Sequence, residues 1–233
     1  MFCNYIKILQ VKNQEFSKRG MANFNRKLWA EGKGYSAPLP QKEELDGLDR
    51  YAALLDVGCG PGRLLLHLRQ MGFRNLFGVD FVFSPLEKVK FARVVQGKAE
   101  KLPFRENCFE GAFLVGVLSS LIGEREREEV FRESFRILKG GGRLFISAFA
   151  VNRFYREKYE EGRKEFGRYG VFRSSHGGIF RHVEKKELEG LLKGAGFKIL
   201  KMERKPFITM HGNRAEGFVV LALKDKGKIG PLS

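Results

Sequence analysis

From residue 51 onward, apolar residues arrive in short bursts, separated by glycine turns and by stretches with helical spacing. Residues 51–57 form an apolar run that predicts a buried strand. Residues 58–62 are a turn, and residues 63–71, with Leu64, Leu65, Leu66 and Leu68, predict a helix. A second strand is expected over 75–80. Ser84 and Pro85 predict an N-cap and first helical position, opening a helix to about residue 93. Val94 and Val95 predict a short third strand, and residues 112–118 a fourth. Residues 124–138 predict a charged amphipathic helix with Val130, Phe131, Phe135 and Leu138 on one face. Gly140, Gly141 and Gly142 are expected to end it before a fifth strand over 143–149. Residues 151–182 break the rhythm. A last helix is expected over 184–195 with Gly196 as its C-cap. Two closing strands, 197–203 and 217–223, flank a loop at 206–216, and the polar tail from Lys224 reads as frayed.

This alternation predicts a mostly parallel sheet with helices on both faces. The chain's 233 residues suffice for one such domain. The expected organisation is an extension or lid over 1–50, a main domain over 51–224 with an insertion at 151–182, and a flexible tail over 225–233. No apolar run reaches the roughly 18 residues of a membrane span. Three cysteines, Cys3, Cys59 and Cys108, are odd in number and scattered, which fits neither a disulfide framework nor a metal site and points to a reducing cytoplasm. Starts at Met1 and Met21 both fit the sequence, which specifies no oligomeric state. The formal net charge of +16 favours an anionic partner, nucleic acid first, against an equally weighted charged surface of the heat-adapted kind.

The candidate chemistry gathers at Leu54 to Arg63, LLDVGCGPGR. In an open α/β sheet, ligands bind beyond the carboxyl ends of the strands. Gly58, Gly60 and Gly62 supply a turn that lets backbone approach a ligand closely. Their spacing is G-x-G-x-G rather than the G-x-G-x-x-G of dinucleotide binders, which disfavours a nicotinamide dehydrogenase. Asp80 ends the next strand, where a carboxylate can accept both ribose hydroxyls of an adenosyl group.

LLDVGCGPGR resembles the first motif of class I S-adenosylmethionine (SAM)-dependent methyltransferases. Further matches follow in order: LFGVDF (76–81), KAEKLPFRENCFEGAFLVGVLSSL (98–121), FRILKGGGRLFIS (135–147) and ELEGLLKGAGF (187–197). The resemblance covers about residues 50–224 and is to the small, single-domain, type 11-like members. It implies a Rossmann-like, doubly wound sheet of seven mostly parallel strands with an antiparallel last strand. It also implies SAM as cofactor and S-adenosylhomocysteine as product; the histidine spacings fit no metal motif. In its terms Gly58 and Gly60 approach the methionyl part through backbone, with Cys59 and Gly62 in the same turn. Asp56 orients the ammonium, Asp80 holds the ribose and Phe81 packs on adenine. Ala99 offers its backbone N–H to the adenine ring, and Leu114 and Val115 lie along the methionyl moiety. Lys98 stands where the family often has an acid, which makes Glu100 the substitute partner for the adenine amino group.

The acceptor half is encoded more loosely, because the sulfonium cofactor carries the hard chemistry and the protein aligns a nucleophile. Residues 151–182 interleave aromatic and basic side chains, a mixture that suits nucleic acid. Tyr155, Tyr159 and Phe166 equally fit the buried face of a helix, while 167–178 is glycine-rich and reads as a mobile lid. His182 is the first candidate for a catalytic or substrate role, followed by His176 and His211; His67 reads as structural. Trp29, Tyr35, Tyr155 and Tyr159 are substrate or lid candidates. A methyltransferase acting on a small molecule is the leading expectation. A transfer-RNA methyltransferase is the second: Phe180 to Val183, FRHV, faintly resembles wobble-uridine enzymes. A non-catalytic SAM-binding regulatory protein is the third.

Overall fold

The computed structural model describes residues 37–175, 177–209 and 214–227. Its main sheet has seven strands: β1 (Leu54–Val57), β2 (Leu76–Asp80), β3 (Arg93–Gln96), β4 (Phe109–Val115), β5 (Leu138–Phe149), β8 (Lys198–Ile208) and β9 (Arg214–Leu223). They lie in the order β3-β2-β1-β4-β5-β9-β8. Strands β1 to β5 pair in parallel, and β9 runs antiparallel to both β5 and β8. The predicted architecture is the observed one. β1 is buried at every position, as a central parallel strand covered on both faces must be.

Helices α1 (Lys42–Leu45), α2 (Arg63–Gln70), α3 (Phe83–Leu86), α4 (Glu124–Ile137), α5 (Arg156–Phe166) and α6 (Lys185–Gly194) surround the sheet. Two apolar clusters form the core. The larger joins Phe131, Phe135 and Leu188 to sheet residues such as Leu55 and Ile146. The smaller joins Leu64, Leu65 and Leu68 of α2 to Leu54, Phe113 and Phe145.

Several local expectations differ from the structure. The first strand starts at Leu54, leaving Tyr51 exposed. The helix expected from Ser84 is a single turn, because Leu86 and Val89 bury in the smaller cluster and Arg93 already pairs with Phe77. The three glycines do not stop α4. Leu138 turns extended first and pairs with Phe109, and the glycines sit in an irregular stretch of β5. The closing strands run longer than predicted, to Ile208 and from Arg214. Lys224 is no frayed tail residue. It is buried, and its Nζ donates to the Phe135 and Leu138 carbonyls at 2.8 and 2.7 Å and to Asn107 at 2.9 Å.

Residues 151–182 form a compact unit of α5 and a two-stranded hairpin, β6 (Val171–Arg173) with β7 (Ile179–Arg181). The stretch expected to be a mobile lid carries this hairpin, anchored by Val171 and Phe172, both nearly inaccessible. α5 crosses β6 at Gly162, where a methyl group would stand 1.8 Å from the Val171 carbonyl oxygen. No helix of the described residues is long and apolar enough to cross a membrane.

Candidate active site

β1 ends in the turn Gly58–Cys59–Gly60, and β2 ends in Asp80 beside it. Gly58 and Cys59 donate their amides to the Val79 carbonyl at 2.7 and 3.0 Å. Gly60 donates to Asp80 Oδ2 and Val82 to Asp80 Oδ1, both at 2.9 Å. The turn amides are therefore occupied within the protein, and what the glycines provide is space. Gly58 and Gly60 have φ of +74° and +49°. A methyl at Gly60 would meet none of the described atoms within 4 Å, whereas one at Gly58 would strike Val117 Cγ2 at 2.7 Å. Gly62 faces the protein instead, with Val89 Cγ2 2.9 Å from where its Cβ would be.

The electrostatics fit a cationic cofactor. Asp56 is buried, and burial, reinforced by the Asp80 charge, holds its pKa well above the usual carboxylate range, with Arg63 acting the other way. Burial also raises Asp80, against the pull of the Val82, Gly60 and Phe81 amides. Two crowded carboxyls beside an open glycine are a site short of positive charge, which a sulfonium with an ammonium supplies.

The remaining predicted residues divide. Phe81 is half-buried beside Asp80, and Ala99 and Glu100 are half-buried on the segment after β3. Glu100 lies 3.8 Å from Lys98 Nζ, so it is already partnered by the residue whose place it was expected to fill. Val115 reaches the cluster of Ala37 and Phe149 at the carboxyl ends of β4 and β5. Leu114 points the other way, fully buried in the larger core, as alternation along a strand requires. Cys59 likewise sends its Sγ into the core against Gly78 and Leu65, and burial drives its thiol pKa up, so only its backbone lines the turn. His67 bonds the Pro40 carbonyl at 2.8 Å, a structural role. Trp29, Tyr35, His176 and His211 lie outside the described residues. Among the described residues no group of His, Cys, Asp and Glu could hold a metal.

Tyr155, Tyr159 and His182 come together in one aromatic cluster with Phe172. Tyr159 is fully buried and its hydroxyl lies 2.6 Å from His182 Nδ1. Burial, with repulsion from Arg127, lowers the His182 pKa to about 3, so its imidazole is neutral at physiological pH. Arg181, one of the basic side chains of residues 151–182, is buried and pairs with Glu187 and with Glu124 at 3.0 Å. Beside it stands Arg127, which the sequence reading missed. It is fully buried, bonds Glu187 at 2.8 Å and donates to the carbonyls of Leu118, Leu121 and Arg181 at 2.8 to 3.0 Å. This clamp fastens the loop after β4 to β7 and α6. No local pattern announces it, since Arg127 and Glu187 are 60 residues apart. A hollow of about 420 Å³ lined by Tyr51, Glu110, Lys139 and Arg143 lies at the opposite, amino ends of β4 and β5 and contains none of the predicted cofactor, catalytic or substrate residues.

A glycine turn after β1, an acid at the end of β2 and this strand order together define the Rossmann-like fold of class I SAM-dependent methyltransferases. Residues 55–146 match the family model described as a methyltransferase domain. A solved SAM-dependent methyltransferase from Methanosarcina mazei is similar at 26% identity and a TM-score of 0.75, covering 81% of this chain and 100% of that one. A transfer-RNA (carboxymethyluridine(34)-5-O)-methyltransferase of Arabidopsis thaliana is 33% identical over 110 residues, 46% of this chain. The ubiquinone/menaquinone C-methyltransferase UbiE of Azotobacter vinelandii is 26% identical over 178 residues, 66% of this chain. The chain spans 26% of the length of the Arabidopsis relative and 69% of that of UbiE. The chain belongs to the class I SAM-dependent methyltransferase superfamily, and its cofactor is SAM.

Proposed function

We propose that this chain transfers the methyl group of SAM to a small-molecule acceptor. The acceptor would be seated between the carboxyl ends of β4 and β5 and the unit of residues 151–182. The observation that carries this reading is the inward packing of four of that unit's seven Phe and Tyr rings, Phe154 and Tyr169 being the exposed ones. Tyr159, Phe172 and Phe180 bury in one cluster, with Tyr155 packed against it, rather than standing out as stacking platforms for bases. In this reading Asp56, Asp80 and the open face of Gly60 hold the cofactor, with the Gly58 backbone beside them, Phe81, Ala99 and Glu100 border its adenine end, and Val115 borders the methionyl end. The protein's work is alignment and exclusion of water, because the methyl group arrives on a good electrophile.

The test is incubation of the full chain with methyl-labelled SAM and fractionated cell extract. Label should enter the low-molecular-mass fraction, at a rate that changes little with salt. Label in RNA, falling steeply as salt rises, would overturn this reading. It would favour the second reading, which draws on the similarity to the Arabidopsis enzyme and on the exposed Arg156, Lys158, Arg163 and Lys164 of α5.

A further inference from the structure

A line of contacts leads from the cofactor turn to a buried polar pair. Gly58 abuts Val117 in the loop after β4. Gly116, next in that loop, faces Ala37, which shares an apolar cluster with Phe149. The Phe149 ring stacks on the His182 imidazole, with centroids 5.3 Å apart and planes 14° from parallel. Tyr155 and Phe172 meet the same imidazole edge-on at 5.2 and 4.8 Å.

The Tyr159 hydroxyl lies 2.6 Å from His182 Nδ1, and a hydroxyl that donates there makes Nδ1 the acceptor of the pair. A neutral imidazole that accepts at Nδ1 carries its hydrogen on Nε2. Among the described residues nothing accepts from Nε2, and it is not one of the fully enclosed unpartnered atoms, which are the Ser147 and Ser174 hydroxyls. The charged neighbours are committed elsewhere, Arg127 to Glu187 and main-chain carbonyls, Arg181 to Glu187 and Glu124. His182 thus presents one uncharged donor in a wall of flat rings.

We propose that the Tyr159–His182 pair orients the methyl acceptor, and that the acceptor is an uncharged planar ring compound whose carbonyl oxygen or ring nitrogen accepts from His182 Nε2. This rests on the methyltransferase reading. Tyr159 is a positioning residue that fixes the tautomer. Transfer forms a bond from an acceptor atom to the methyl carbon, and the sulfonium sulfur keeps the electron pair of the broken bond. Any acceptor proton passes to solvent, because an imidazole with a pKa near 3 holds a hydrogen bond without taking a proton.

The experiment is calorimetry of the full chain saturated with S-adenosylhomocysteine, using 4-quinolone and its 2-carboxylate as probes. The uncharged probe should bind about tenfold or more tightly than the carboxylate. Tyr159→Phe should weaken it about fivefold while leaving the S-adenosylhomocysteine Kd within about twofold, and nitrogen NMR should show the single Nε2–H tautomer of His182 becoming a mixture. Preference for the carboxylate, no binding of either probe, or an unchanged Kd and tautomer in Tyr159→Phe would overturn the proposal. Failure of S-adenosylhomocysteine itself to bind would instead overturn the methyltransferase reading.

Discussion

Replacing Asp80 with alanine separates the cofactor role of the turn from its structural role. The half-buried carboxylate accepts Gly60 N–H on one oxygen and Val82 N–H on the other, each at 2.9 Å. Each oxygen keeps a further lone pair for a ribose hydroxyl. A hydrogen bond to a charged group is worth about 1.5–3 kcal/mol, so loss of the ribose contact should raise the S-adenosylhomocysteine Kd about 10- to 160-fold. Folding should respond far less. Gly60 and Val82 are only partly buried, so water can replace the lost acceptor, and the repulsion that Asp80 exerts on Asp56 disappears. The net cost in stability should stay below about 1 kcal/mol. Isothermal titration calorimetry reads the first quantity and urea unfolding the second. An unchanged Kd would refute the placement of the ribose on Asp80. A matched loss of stability and binding would show that the carboxylate serves only to hold the turn.

Arg127→Met should destabilise the fold by about 3–5 kcal/mol, since it leaves Glu187 short of a partner and takes the guanidinium donors from three main-chain carbonyls; the urea midpoint measures this. Gly162→Ala should part α5 from β6, exposing Val171 and Phe172 and making the 151–182 unit the first site of limited proteolysis, with S-adenosylhomocysteine affinity retained. SAM binding should release a proton wherever the pH lies between the Asp56 pKa values of the free and liganded protein: burial and the Asp80 charge raise the first and a bound cation lowers the second, so the binding enthalpy there should vary with the ionisation heat of the buffer. The release should shrink as pH rises through the Asp56 pKa of the unliganded protein; binding heats that never differ between buffers of low and high ionisation enthalpy, from mildly acidic to neutral pH, would contradict it.

The glycine turn and its neighbouring acid were legible because their requirements are local. A turn with positive φ writes itself as glycines, a buried parallel strand as an apolar run, and the acid follows at the end of the next strand. Strand order and the antiparallel β9 came with the ordered motifs. Side-chain direction was less legible. Cys59, Gly62 and Leu114 sit within the motifs but face the protein, and only the pleat and the packing of α2 decide that. The unit of residues 151–182 was least legible, because its geometry arises from contacts across long sequence separations. Arg181 reads as a surface cation until Glu187 and Arg127 are brought to it, and Tyr159 and His182, 23 positions apart, become a pair only when β7 folds back on α5. The three glycines misled because Leu138 had already left the helix for β5.

The arginine clamp also bears on how such a scaffold diversifies. Arg127, Glu124 and Glu187 all lie outside residues 151–182, and much of what the two guanidiniums grip is main-chain carbonyl at positions 118, 121, 122 and 181, which any sequence supplies. A foreign segment grafted between β5 and α6 therefore needs to bring one arginine, at the position of Arg181, to be received by a socket the host already holds. The fastening is generic while the cassette it fastens is not, so this segment can be exchanged as one contiguous piece while the sheet and its glycine turn remain unaltered.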